Sequence, residues 1–216
     1  MSSRKEMQTI RMYNFFIDAT ASIIENEGIE KVTARKIGDI AGYTSSTIYN
    51  YFDELSHLIF FASMRFLNEY NEDLSGVMLA AKNAVDRYIN TWECFCKHSF
   101  ENPQIFHAIF ISDLGTDPNL LIDRYYDLYH NDLVKLPEEI KIIVLEHDLY
   151  KRNYKIVQGL AEEGYISEEN IDYLLRTTIL MWKGMLITLF NNRSKFTPDE
   201  AVKEFTYLIS QLIKVY

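Results

Sequence analysis

A chain of 216 residues that is 48% hydrophobic, with only 8 glycines and 4 prolines, has apolar material for a sizeable core and too little turn-forming sequence for a disordered or low-complexity polypeptide. Its net charge of −9 argues against indiscriminate nucleic-acid binding, and the acidity is uneven: six basic against eight acidic side chains in the first 60 residues, 16 against 23 in the rest. Met1 to Glu6 lacks the apolar segment of a signal peptide, and the most apolar stretch, Thr178 to Phe190, is broken by Lys183 and too short to span a bilayer, so a cytoplasmic protein with no membrane partner is expected.

In chain order, Ile10, Tyr13, Ile17, Ala21 and Ile24 recur at helical steps, a first helix ending at Gly28. Arg4, Lys5 and Arg11 near its start read equally as a solvated helix end or as phosphate contacts. Thr33 then caps a short helix that buries Ile37, Ile40 and Ala41, and Gly42 supplies the left-handed exit. Thr44 is the N-cap of a second short helix with Ile48 and Phe52 as its apolar edge. Its other faces carry Ser45, Ser46, Thr47, Tyr49, Asn50 and Tyr51, groups that bond phosphate oxygens and base edges. Two short helices joined by a tight turn, with such an outer surface, form a helix-turn-helix over residues 33–52, a geometry that enters the DNA major groove. Packing against the first helix is the alternative use of Tyr49 and Tyr51.

Asp53 is the expected cap of a fourth helix that buries Leu58, Ile59, Phe61, Ala62, Phe66 and Leu67 before a break at Asn71 to Gly76. Prolines preceded by capping side chains (Asn102-Pro103, Asp117-Pro118, Thr197-Pro198) and Pro137 followed by two acids mark further helix starts. The helices so delimited run about 79–101, 103–112, 118–135, 138–163, 167–192 and 198–215, with no strand pattern between them. Inward stripes are Val85/Tyr88/Trp92/Phe95/Ser99, Leu121/Tyr125/Leu128/Tyr129 and Ile143/His147/Tyr150/Tyr154/Val157/Ala161. The last two helices are apolar on more than one face, from Leu174 to Phe190 and from Val202 to Tyr216, which suits either a helix buried within one chain or packing on a two-fold partner.

Catalytic and metal patterns are not found. Cys94 and Cys96, two apart on a helix, cannot bridge and read as reduced core thiols; His57, His98, His107, His130 and His147 include no helical ligand pair. No nucleophile or phosphate-loop motif accompanies them, so no enzyme activity, no metal and no cofactor is expected. Trp92, Phe95, Phe106, Phe110, Tyr125, Tyr129, Tyr150 and Trp182 lie on or beside the inward stripes with His98, His107, His147 and Asp113 as sparse polar groups. Such aromatics serve either as plain core or as the walls of a pocket for a small, largely apolar molecule.

The order Thr33, Ile37, Ala41-Gly42, Thr47-Ile48-Tyr49 and Tyr51-Phe52, with Ala19, Glu27-Gly28 and Val32 before it and Leu58 after it, resembles the DNA-binding domain of the TetR-type regulators. The resemblance implies an all-α protein: a three-helix helix-turn-helix domain over residues 1–55, then a larger helical effector-binding and dimerisation domain over 56–216. It implies a homodimeric repressor that binds a palindromic double-stranded DNA operator and is released by a small-molecule effector. Carried over by position, DNA contacts fall on Thr33, Arg35 and Lys36 and on Thr44, Ser45, Ser46, Thr47, Tyr49, Asn50 and Tyr51. Arg35, Ser45, Ser46, Thr47 and Asn50 would face bases, Tyr49 and Tyr51 phosphates. Effector contacts fall on Trp92, His98, His107, Tyr125, Tyr129, His147, Tyr150 and Trp182, and the dimer interface on Leu186, Phe205, Leu208 and Leu212. Where the family usually has a lysine at the start of the fourth helix this chain has Leu55, after Asp53 and Glu54. Two other readings follow: the same fold acting through a protein partner without DNA, and a helical ligand carrier or sensor. Arg35 and Asn50 favour base reading.

Overall fold

The computed structural model describes residues 4–115 and 117–215; Met1 to Ser3 and Tyr216, named above, lie outside them. Thirteen α-helices and no strand occur among the described residues. The first three are α1 (Arg4–Glu27), α2 (Ala34–Ala41) and α3 (Ser45–Ile48). Then follow α4 (Leu55–Met64), α5 (Asn68–Ala80), α6 (Ala84–Glu101), α7 (Pro103–Phe110), α8 (Pro118–Leu128) and α9 (His130–Val134). The chain ends with α10 (Glu138–Val144), α11 (Leu149–Glu162), α12 (Ile171–Phe190) and α13 (Pro198–Val215).

Side-chain caps set several of these starts. The Asn83 side-chain oxygen accepts from Asp86 N at 2.8 Å, Asp148 accepts from Tyr150 N at 2.8 Å, and Thr197 with Glu200 forms a reciprocal capping box. The caps expected of Asp53 and Thr44 do not form: Glu54 precedes α4 and neither Glu54 nor Thr44 caps its helix through the side chain.

Three boundaries differ from the sequence expectation. The polar run Asn71 to Gly76 does not break the chain; it lies inside α5, because Tyr70, Leu74 and Met78 keep a buried stripe through it. The helix expected over 118–135 turns at Tyr129, and that over 138–163 is split at 145–148, where Asp148 caps a new start. Ile10 and Ile40, expected inside, are 40% and 54% exposed.

One continuous apolar core runs through the molecule. At one end α1 packs on α2 and α4 through Phe16, Ile17, Ile37, Ile48 and Phe52. In the larger part α6 is central, in contact with α5, α11, α12 and α13. α4 joins the two by lying on α1 at one side and on α7 and α8 at the other. No helix among the described residues is long and apolar enough to cross a membrane.

Candidate functional site

The helix-turn-helix is held from inside and left polar outside. Thr33 Oγ1 accepts from Lys36 N at 3.2 Å, and Gly42 takes φ 77° to end α2. Gly38 is the contact that local sequence did not reveal: a Cβ there would stand 2.6 Å from the Tyr43 carbonyl oxygen, so α2 and the turn approach as closely as they do only over a glycine. Ile48 and Phe52 are fully buried, and the Phe52 ring packs edge-on to Tyr13 at 4.9 Å and to Phe61 at 5.6 Å.

With those two anchored, Ser45, Ser46, Tyr49 and Asn50 are exposed, and Thr47 is half-buried. Thr44 Oγ1 bonds Ser46 Oγ at 2.9 Å and Thr47 Oγ1 at 3.0 Å, a hydroxyl cluster at the start of α3 in place of a backbone cap. Arg35, Asp39, Tyr43, Thr44 and Ser45 line an open groove between α2 and the turn. Arg35 is exposed, whereas Lys36 is paired with Glu27 at 2.5 Å and must exchange that partner to reach a phosphate. Asp53 and Glu54 are exposed beside this face, and Glu54 accepts from the Ser56 hydroxyl at 2.9 Å.

Tyr51 is used differently from Tyr49. Its half-buried ring packs at 5.6 Å from Tyr13 and 5.9 Å from Phe16, so packing against α1 fixes the ring and only its rim faces out, while Tyr49 is 51% exposed. The Tyr51 carbonyl accepts from Tyr13 OH at 2.6 Å and from Arg124 Nη2 at 3.4 Å. Arg124, on α8, also lies 4.6 Å over the Tyr13 ring. Tyr129 OH donates to Asn14 Oδ1 at 3.0 Å. The effector-side helix α8 therefore touches the DNA-facing unit at its last residue, a bridge that no local motif signals.

The expected aromatic pocket is mostly solid. Trp92, Tyr125 and Trp182 are at most 1% exposed and packed on one another's neighbours: Trp182 on Phe95 at 5.0 Å and Phe110 at 6.2 Å, Trp92 on Phe205 at 5.6 Å, Tyr125 on Tyr129 at 4.8 Å. Trp182 Nε1 donates to Ser99 Oγ at 3.0 Å, so its polar atom is satisfied within the core. His98 bonds Asp73 at 2.9 Å, His107 stacks on Phe190 at 4.3 Å, and Tyr129 is engaged with α1. These six are structural contacts. Helical periodicity places them inward, and close packing leaves no room beside them.

His147 and Tyr150 do line an open cleft of about 700 Å³ at the junction of α10, α11 and α12, with Phe110, Leu149, Ile179 and Leu180 as its apolar surface. Its polar groups include Asp117, Glu146, Asp148, Lys151, Arg176 and Lys183. His147 Nε2 meets the Ile109 carbonyl at 2.6 Å; burial lowers the His147 pKa below 6.5, partly opposed by that bond, and neutral imidazole donates there. Tyr150 OH donates to Asp172 at 2.8 Å, which lowers the Asp172 carboxyl pKa. Burial raises both cysteine thiols, Cys94 to about 12, so they are inert core groups at neutral pH.

The dimer expectation also needs revision. Leu186 and Phe205 are 0% exposed within a single protomer and have no surface left for a partner; their faces point to α6. Leu208 is 36% exposed and Leu212 half-buried, and Leu180 and Tyr207 present the more open surface of α12 and α13.

Comparison with known proteins agrees with this geometry. The family model described as bacterial regulatory proteins, tetR family, matches residues 16–56. Among curated proteins none matches by sequence. Among solved structures, Thermus thermophilus FadR, a TetR-family transcriptional repressor in complex with lauroyl-CoA, is 15% identical with TM-score 0.59 over 94% of this chain and 93% of its own. RolR in complex with resorcinol is 14% identical, TM-score 0.62, over 95% and 89%. The fatty acid degradation regulator FadR from Bacillus halodurans is 16% identical, TM-score 0.54, over 91% and 97%. By its helix-turn-helix domain and its whole-chain fold, this chain belongs with the tetR family of bacterial regulatory proteins.

Proposed function

We propose that this protein is a homodimeric transcriptional repressor: residues 1–55 grip a palindromic operator, and residues 56–216 hold the dimer and release DNA when a small molecule enters the cleft beside His147 and Tyr150. The observation that carries the reading is the outward row Ser45, Ser46, Tyr49 and Asn50 beside exposed Arg35, on a helix whose Ile48 and Phe52 are locked inside. Thr33, Lys36, Thr44 and Thr47 shape the ends of that face, and the rim of Tyr51 completes it. The effector has an apolar body and a polar end, because Phe110, Ile179 and Leu180 meet charged side chains in one cleft. The relatives in complex with lauroyl-CoA and resorcinol support a small-molecule effector in this fold. α8 carries the signal, since Arg124 touches both Tyr13 and Tyr51.

A protein partner in place of DNA is the second reading, favoured by exposed Phe15 (50%) and Ile40 (54%) and by Asp53 and Glu54 near the face. A mobility-shift titration with the DNA flanking its own gene separates the two. Binding of two chains per site, with no shift on shuffled sequence, supports the repressor; indifference to both DNAs supports the partner.

A further inference from the structure

Arg152 on α11 is only 6% exposed and enters no ion pair with a carboxylate among the described residues. Its Nη1 donates to the Glu146 carbonyl at 3.4 Å, its guanidinium lies 5.2 Å over the Phe110 ring, and its Nη2 has no hydrogen-bond partner. Two further buried atoms without partners, Trp92 Nε1 and Thr91 Oγ1, belong to residues of α6. All three residues line one internal cavity of about 10 Å³, space for a single water. A buried guanidinium without counter-charge is unfavourable, and Nη2–H and Nε1–H can only donate. What the site lacks is an acceptor with negative charge.

The chain does not supply it. The Glu146 carboxylate accepts from Asn119 Nδ2 at 3.1 Å and Asp148 N at 2.8 Å, and Asp148 caps α11. Tyr70, in the same lining, is a protonated phenol at neutral pH, its pKa pushed up to about 12 by burial despite the opposing pull of Arg152. Leu149 lines both this cavity and the 700 Å³ cleft, so one apolar side chain is common to the walls of the open cleft and the buried cation.

We propose that Arg152, Trp92 and Thr91 form an anion-holding subsite that takes the carboxylate of a small amphipathic effector, reached from the cleft past Leu149, with the ligand's apolar body against Phe110 and Ile179. Its regulatory meaning rests on the effector reading above; carboxylate binding itself does not. A charge-assisted pair to the guanidinium and a second donor from the indole give the subsite its preference for acids over isosteric neutral groups.

The test uses the full chain without DNA, titrated with sodium acetate, benzoate and octanoate against acetamide, benzamide and octanamide, with sodium chloride holding ionic strength. Tryptophan emission and melting temperature are read. Carboxylates change the emission, raise the melting temperature and bind roughly tenfold or more tighter than their amides. Arg152→Met removes the difference between acid and amide. Should that variant fail to fold, Trp92→Phe, which keeps an aromatic ring and loses the N–H, weakens the acids selectively in the melting assay. Equal response to acid and amide, no response to any carboxylate, or undiminished acid binding in a folded variant overturns the proposal. A mobility shift on the same samples separates the readings: carboxylate binding by a chain that never binds DNA removes the repressor and leaves the subsite standing.

Discussion

The two ends of the molecule use side chains in opposite ways. In the helix-turn-helix, polar residues sit where packing does not need them: Ser45, Ser46 and Asn50 face out while Ile48 and Phe52 secure the helix. In the middle helices, aromatic residues sit where packing does need them, and Trp92, Tyr125 and Trp182 fill space that a ligand would otherwise occupy. An outward polar row on an anchored helix is therefore a stronger sign of recognition than an inward aromatic stripe.

The largest expected effect tests the packed side. Trp182→Ala removes a ring held by Phe95, Phe110 and Ser99 and costs about 3–5 kcal/mol in denaturant unfolding. A loss below about 1 kcal/mol would make Trp182 a pocket wall after all. Gly38→Ala comes next: its Cβ meets the Tyr43 carbonyl at 2.6 Å, so the turn must move, at about 1–3 kcal/mol of stability and with α3 displaced. Wild-type DNA affinity in a fully stable Gly38→Ala protein would break the account of the turn.

On the recognition side, Arg35→Ala and Asn50→Ala leave stability within about 0.5 kcal/mol, because both residues are exposed. Each weakens specific DNA binding by about 1–3 kcal/mol in anisotropy titrations. Equal losses on random DNA would reassign them to backbone contact. The smallest effect concerns pH. Burial holds the His107 and His147 pKa values below 6.5, so the unfolded chain takes up those protons first as pH falls. Their contribution is complete above pH 6.5 and is lost as pH drops from there towards the lower folded-state pKa. Thermal melts across that window show a decline that His147→Gln reduces; identical slopes for wild type and variant would contradict it.

Much of the recognition unit was legible because its determinants are local. Thr33 as cap, Gly42 as exit and the Ile48/Phe52 edge each lie within a turn or two of what they control. Gly38 was not, since the atom that excludes a side chain belongs to Tyr43 across the turn. The cleft was half legible. Extending one stripe from Ile143 to Ala161 ignored Asp148, whose cap restarts the helix and resets its phase. Tyr154, expected inside, is thus 41% exposed, while Arg152 and Asn153 turn inward. A buried arginine contradicts the usual preference of its type, so no composition or periodicity argument would have placed it there.

The central claim, that the exposed face of α3 reads a two-fold DNA site, is tested most directly by hydroxyl-radical footprinting of the wild-type protein on the DNA upstream of its gene. The account predicts two protected half-sites related by a dyad, their centres about one helical turn or a multiple apart, both lost in Asn50→Ala at matched concentration. Protection that is uniform along the fragment, or identical in wild type and Asn50→Ala, would contradict it.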